Sequence, residues 1–160
     1  QTRGDRLIPG THLPVYGGGD WNDSLQPANA ELKERMVSGW TVSLMAEAID
    51  RFARVLKTED ERFSQELAQF AEAIKADFNR YMIKDDVPTG FLLFNDKDKG
   101  DVEYILHPED RKTGIKYRLL PMYQGILANL FLKQQAEKYV QIIDEHLRFP
   151  DGVRDRKSVV

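Results

Sequence analysis

The chain has 160 residues, of which 41% are apolar, 31% charged and 10% aromatic, a composition that points to one soluble globular domain with a real core and excludes disorder and collagen-like structure. Its 23 Lys and Arg against 26 Asp and Glu leave a net charge of -3, so the basic footprint that nucleic acid demands is missing. The absence of cysteine excludes a disulfide scaffold, a thiolate zinc site and a cysteine nucleophile, and fits a reducing, cytoplasmic setting. No run reaches the roughly 18 apolar residues of a membrane span, and the polar start has no signal-peptide core; neither a membrane nor nucleic acid is an expected partner. The chain opens at Gln1 rather than a methionine, which leaves an upstream segment open.

Residues 1–29 are punctuated by Pro9-Gly10, Pro14, Gly17-Gly18-Gly19 and Pro27 and show no sustained period. A loop of that length in a compact domain is usually functional, and its Tyr16, Trp21 and Leu25 argue for packing. From Ala30 the spacing of Met36, Trp40, Leu44, Ala48 and Phe52, widened by Val37 and Val55, predicts one long helix. Thr58 to Glu61 reads as a capping box. A second long helix follows on the stripe Phe63, Leu67, Phe70, Ile74, Phe78 and Tyr81, and the short connection makes the two an antiparallel α-hairpin.

Asp85 to Gly90 breaks that helix, after which Phe91–Phe94 and Val102–Leu106 are β-prone runs that predict a small hairpin. Pro121 suits the first turn of a third helix carrying Met122, Ile126, Leu127 and Leu130. A fourth carries Ala136, Tyr139, Val140, Ile143 and Leu147 and stops before Phe149-Pro150-Asp151-Gly152. Arg154–Lys157 reads as charged chain near the end of order. The expected fold is therefore mainly α: helical hairpins with a small β-hairpin insertion and no repeat of fixed short period. Two helices of about 40 Å followed by two of about half that length do not close on themselves, so the set reads as part of a larger helical array.

The densest chemical candidate is Gly17-Gly18-Gly19-Asp20-Trp21-Asn22-Asp23-Ser24. A tryptophan face packs on the C–H surface of a pyranose, and short acids and amides meet its hydroxyls; the same glycines, aspartates and asparagine also suffice to build a turn. The triple glycine fits neither a phosphate-binding P-loop nor a dinucleotide fingerprint. His12, His107 and His146 lack metal-ligand spacing, so no metal is expected, and structural roles suit them, with His107 the exception to watch. Lys116-Tyr117-Arg118 fits an exposed helix start as well as a glycan contact, and Pro150-Asp151-Gly152 an ordinary turn as well as a cleft edge with Arg154.

Gly18-Gly19-Asp20-Trp21-Asn22-Asp23 resembles the signature of the inverting phosphorylases of glycoside hydrolase family 94, the cellobiose and chitobiose phosphorylases and their relatives. The following Ser24-Leu25-Gln26-Pro27, the run Val102 to Pro108, the run Thr113 to Pro121 and Phe149 to Arg154 are similar to the branch acting on β-1,2-glucans. The resemblance spans nearly the whole chain and implies part of an α/α barrel (toroid) catalytic domain, with residues 1–29 as an active-site loop region.

It also implies phosphorolysis: inorganic phosphate attacks the anomeric carbon opposite the leaving group, giving α-glucose 1-phosphate with inversion. Phosphate is already anionic, so the second carboxylate of an inverting hydrolase has nothing to do and one general acid suffices. By resemblance that acid is Asp23, its pKa raised by burial or by Asp20. Asp20 and Trp21 bind the donor glucose, with Asn22, Ser24, Gln26, His107, Tyr117, Arg118, Asp151 and Arg154 as further substrate contacts. No cofactor is implied; phosphate is a co-substrate and a β-glucan oligosaccharide the partner. The chain departs from the family in having room for only two or three hairpins, in lacking the phosphate-binding residues outside this stretch, and in reading Asp155-Arg156-Lys157-Ser158 where the branch differs. It is therefore expected to be an inactive fragment whose other partners are the rest of the barrel or further copies of itself. A cellobiose-type phosphorylase, a non-catalytic carbohydrate-binding helical module and a helical interaction domain are the alternatives.

Overall fold

A computed structural model of the chain describes residues 6–18, 27, 29–95 and 101–156. Helix α1 (Ala30–Lys33) opens on Asn29, whose side chain accepts from the Leu32 amide at 2.9 Å. The long helix expected from Ala30 is interrupted: the chain runs extended through β1 (Met36–Ser38) before α2 (Gly39–Leu56) begins. Two causes act here, one local and one distant. Ser38 caps α2, its hydroxyl accepting from the Thr41 amide, and Met36–Ser38 pairs antiparallel with a later strand, Met36 opposite Leu93 and Ser38 opposite Phe91. Burial of Met36 and Val37 in that sheet outweighs the helical period they share with their neighbours.

Within α2 the buried face is Gly39, Val42, Ser43, Ala46 and Ala53, while Leu44, Phe52 and Val55 of the predicted stripe point outward. Small side chains let α3 (Glu61–Asp77) approach closely, and the Ser64 hydroxyl donates to the Ala53 carbonyl at 2.7 Å across the hairpin. Asp60 caps α3, accepting from the Phe63 amide at 2.9 Å, and displaces the Thr58–Glu61 box because it stands immediately before the first helical residue. At 18 and 17 residues the pair is roughly 27 Å long at 1.5 Å per residue, shorter than expected, because β1 consumes the start of one and a π-helical turn, Phe78–Met82, the end of the other.

That turn feeds a two-residue hairpin of β2 (Ile83–Lys84) and β3 (Val87–Pro88), whose tip residues Asp85 and Asp86 both hold positive φ, 48° and 58°, the backbone of a type I′ turn. The expected hairpin of β4 (Phe91–Phe94) and β5 (Val102–Ile105) is present, and β1 joins it as a third strand in the order β1-β4-β5. The chain then enters α4 (Leu119–Leu127), with Pro121 in its first turn, α5 (Lys133–Ile142), a second π-helical turn Ile143–Leu147, and the hairpin of β6 (Arg148–Phe149) and β7 (Gly152–Val153). The main core lies between α2, α3 and the three-stranded sheet and gathers Val37, Val42, Ala46, Ile74, Phe78 and Leu92. With three small sheets among the described residues the chain is a mixed α/β structure rather than the mainly α fold expected, and those residues form no α/α barrel. Among them no helix is long and apolar enough to cross a membrane.

A repeat invisible in the sequence connects the halves. The Thr89 amide donates to the Met82 carbonyl at 2.9 Å and the Arg154 amide to the Leu147 carbonyl at 2.9 Å, closing each small hairpin on its π-helical turn at a spacing of 65 residues (147 − 82 = 65; 154 − 89 = 65). The Gly39 amide donates to the Gly90 carbonyl at 2.9 Å and the Leu119 amide to the Asp155 carbonyl at 2.7 Å, again 65 apart on the acceptor side (155 − 90 = 65). Ser38 opposite Phe91 is matched by Arg118 opposite Arg156. Each unit is a helix pair ended by a π-helical turn and a hairpin that returns to the start of its own first helix.

Candidate functional site

Six of the residues expected to carry the chemistry, Asp20, Trp21, Asn22, Asp23, Ser24 and Gln26, lie outside the described residues. The ground on either side of them is described. On one side the Tyr16 amide donates to the Met36 carbonyl at 2.6 Å and the Gly17 amide to the Lys33 carbonyl at 3.0 Å. On the other, Asn29 caps α1. Gly17, at φ 56°, adopts the left-handed conformation that glycine takes without cost.

Behind that base is a buried aromatic and cationic cluster. Tyr16 is 5% exposed and its ring meets that of Phe91 at 6.0 Å. The Arg118 guanidinium lies 4.6 Å above the other ring of that contact, Phe91, and is fully buried, which overturns the exposed helix-start reading. Its Nε stands 3.6 Å from Asp155 Oδ2, while the Asp155 carbonyl and carboxylate accept from the Leu119 and Leu120 amides. Asp155 was missed by sequence reasoning because it sits in a charged run without periodicity; only the closure of the second unit brings it to Arg118. Of the predicted residues this leaves Arg118 as an internal group, held where a cation–π contact and a carboxylate meet.

The other described candidates are engaged locally. His107 is fully buried, with Nε2 at 3.0 Å from the Lys84 carbonyl and Nδ1 accepting from the Glu109 amide at 3.2 Å, so both ring nitrogens serve the loop. Tyr117 stacks on His146 with ring centres 4.5 Å apart. Arg154 lies 4.1 Å over Phe149 and its guanidinium reaches Asp151 at 3.2 Å, a contact internal to the β6–β7 hairpin. Asp110 organises the loop after β5. Burial works to raise its carboxyl, but the Thr113 hydroxyl and the amides of Thr113, Leu106 and Lys112 hydrogen-bond to it and hold it below its ordinary value. Beside this loop a cavity of about 350 Å³ is lined by Tyr104, Glu103 and Lys112, and burial raises the Tyr104 phenol; His107, Tyr117, Arg118, Asp151 and Arg154 are not among its described lining residues. Among the described residues no three His, Asp or Glu side chains are grouped to hold a metal ion.

No protein-family model matches the chain. Over 150 residues it is 45% identical to a 1,2-beta-oligoglucan phosphorylase of Listeria innocua serovar 6a. The matched stretch covers 93% of this chain and 13% of that relative, so the chain spans about one-eighth of the length of the protein it matches. A likeness of that strength, continuous over nearly the whole chain, supports kinship with one segment of a phosphorylase.

Proposed function

We propose that this chain is the segment of a glycoside phosphorylase that supplies the general acid, in an enzyme cleaving β-1,2-glucan oligosaccharides with inorganic phosphate to α-glucose 1-phosphate with inversion, a hexosyl transfer carried out in the cytoplasm. The observation that carries this reading is the 45% identity over 93% of the chain to a protein named as a 1,2-beta-oligoglucan phosphorylase. The motif Gly18 to Asp23 supports it, since it offers the acid and the sugar platform the reaction calls for. Asp23 protonates the glycosidic oxygen as the phosphate oxygen bonds to the anomeric carbon; in synthesis it takes the proton from the acceptor hydroxyl. Asp20 and Trp21 hold the donor glucose, and the remaining contacts proposed for the glucan are Asn22, Ser24, Gln26, Tyr117, Asp151 and Arg154; His107 and Arg118, fully buried and engaged within the chain, are left out of that set. Taken alone, with no complete phosphate site, the segment turns over no glucan, and its partner in activity is the rest of the enzyme.

The test is glucose 1-phosphate release from a β-1,2-glucan oligomer plus phosphate by the complete enzyme carrying this segment, wild type against Asp23→Asn. General acid catalysis contributes about 10²- to 10⁴-fold, and a loss in kcat of that size with little change in KM is expected. Retained activity in Asp23→Asn refutes the assignment of the acid; activity on cellobiose but not on the β-1,2 linkage refutes the linkage; inactivity on every β-glucan leaves Trp21 a binding role.

A further inference from the structure

The chain approaches the motif Gly18 to Asp23 through a loop closed on itself. The Val15 amide donates to the Arg6 carbonyl at 2.9 Å and the Ile8 amide to the Leu13 carbonyl at 2.8 Å, and the Thr11 hydroxyl donates to the Ile8 carbonyl while accepting from the Leu13 amide. Ile8 and Leu13 sink into the main core. Apolar burial is non-directional, so it holds such a loop down without fixing its orientation; the contact that fixes it is polar. The His12 amide and His12 Nδ1 both meet Asp77 Oδ2, at 2.6 and 2.9 Å. A carboxylate only accepts, so Nδ1 carries the proton, and two bonds from one residue to one oxygen set the backbone and the ring together. The ring stands edge-on to Phe70, with centres 5.6 Å apart.

Asp77 is also a place where the two units differ. It is the last residue of α3, and the offset of 65 sets it opposite Ile142, the last residue of α5 (142 − 77 = 65); each immediately precedes its π-helical turn. Ile142 is buried in an apolar cluster with Tyr139 and Leu147, so this position in the fold does not itself call for a charge. The first unit places a carboxylate there, and His12 takes it up. Four and five residues after His12, the Tyr16 amide is bonded to Met36 and the Gly17 amide to Lys33, and at Gly18 the motif begins. The other end of the segment is held separately, by Asn29 at the start of α1. The clasp thus ties the approach to the motif to α3.

We propose that His12 is a positioning residue: clasped by Asp77, it fixes the line on which the chain enters the motif, and with it the placement of the acid and of the donor-binding side chains. The inference rests on the function proposed above and adds to it a pair, His12 and Asp77, that acts through the loop rather than on the substrate. A misplacement of about 1 Å in a reacting group costs up to about 10²-fold in rate, so a loop whose direction depends on two hydrogen bonds to one carboxylate is a sensitive part of the reaction.

The complete enzyme carrying this segment tests it, as His12→Ala, His12→Asn and Asp77→Ile. Asparagine keeps a donor near the place of Nδ1, and isoleucine is the residue the second unit carries at the Asp77 position. Amide hydrogen exchange at Tyr16 and Gly17 is read together with glucose 1-phosphate release, with KM measured separately for the β-1,2-glucan and for phosphate. His12→Ala and Asp77→Ile are expected to speed that exchange, to lower kcat by about 10- to 100-fold and to raise the KM for glucan; the KM for phosphate, whose complete site lies outside this segment, stays as in wild type, and His12→Asn recovers most of the loss. A mere loss of folded enzyme lowers kcat and moves neither KM. That result overturns the proposal, as do exchange equal to wild type in His12→Ala or an asparagine no better than alanine. If wild type releases no glucose 1-phosphate from any β-glucan, the proposed function falls and exchange alone decides the clasp: faster exchange in His12→Ala, restored in His12→Asn, upholds it, and equal exchange in all of them overturns it.

Discussion

Gly39→Ala probes the joint between the two units. Glycine within a helix is about 0.5–1 kcal/mol less favourable than alanine, so helix propensity alone predicts stabilisation. The tertiary contacts reverse the sign. A Cβ at Gly39 would stand 2.6 Å from the Thr89 carbonyl oxygen, 3.0 Å from the Pro121 Cβ and 3.4 Å from the Gly90 carbonyl oxygen. The nearest of these is backbone and is pinned, since the Thr89 hydroxyl lies within hydrogen-bond distance of the Phe91 and Ile105 carbonyls, at 2.6 and 2.9 Å, and shares its one proton between them, and Gly90 accepts from the Gly39 amide itself. Relief requires α2 to move away, which stretches that hydrogen bond and opens the packing on Pro121. Overpacking costs about 1–3 kcal/mol and a weakened hydrogen bond about 1 kcal/mol, so after the propensity gain a net loss of about 1–3 kcal/mol is expected. In urea the midpoint should fall at unchanged slope, and in thermal denaturation Tm should drop by roughly 3–10 °C. A variant as stable as wild type would refute the reasoning, for it would show that the start of α2 is free to move from Thr89 and Pro121.

Two further substitutions address the ends of elements. After α4 the Asn129 amide donates to Ile126 and the Leu130 amide to Gly125, at 3.1 and 2.9 Å, with Asn129 at φ 53° and Leu130 buried; glycine suits that left-handed position best, so Asn129→Gly should gain roughly 0.5–1 kcal/mol and Asn129→Val should lose stability, both read by thermal denaturation. Asp110→Asn should cost about 1–3 kcal/mol at neutral pH through its four hydrogen bonds. Because the folded carboxyl titrates below its ordinary value of 3.8, the stabilisation is present above that value and is lost as pH falls through the lower folded one. The stability gap between wild type and Asp110→Asn should therefore narrow below pH 3.8 in urea titrations run against pH; a gap that widens on acidification would contradict the hydrogen-bond account.

The sequence patterns located most of the helices and misjudged which way one of them faces. The period of four that joins Met36, Trp40, Leu44, Ala48 and Phe52 is genuine, but it is divided between a strand and a helix whose buried side is the small-residue stripe Val42, Ala46 and Ala53. Periodicity counts apolar residues and cannot tell a core face from an outward apolar one, and here the larger side chains are on the outside. The strand β1 escaped notice because three residues carry no period of their own; its existence depends on Phe91–Leu93, more than fifty positions away. The β2–β3 and β6–β7 hairpins are equally short, and only the break at Asp85 to Gly90 and the turn at Pro150 to Gly152 hinted at them.

For the site, residue identity alone supplied the motif from Gly18 to Asp23 and its likeness to phosphorylases, because that a side chain is a carboxylate or an indole is read without coordinates. Composition likewise excluded a thiolate metal site, since the chain has no cysteine. What needed the tertiary structure was everything set by distance along the chain: the burial of Arg118 between Phe91 and Asp155, the consumption of both His107 nitrogens by backbone, and the repeat of the two helix-pair units. The repeat is made by backbone hydrogen bonds between carbonyls and amides, which leave no mark in the sequence of side chains, while the Arg118 and His107 contacts join residues far apart in the chain, so no local pattern announces them.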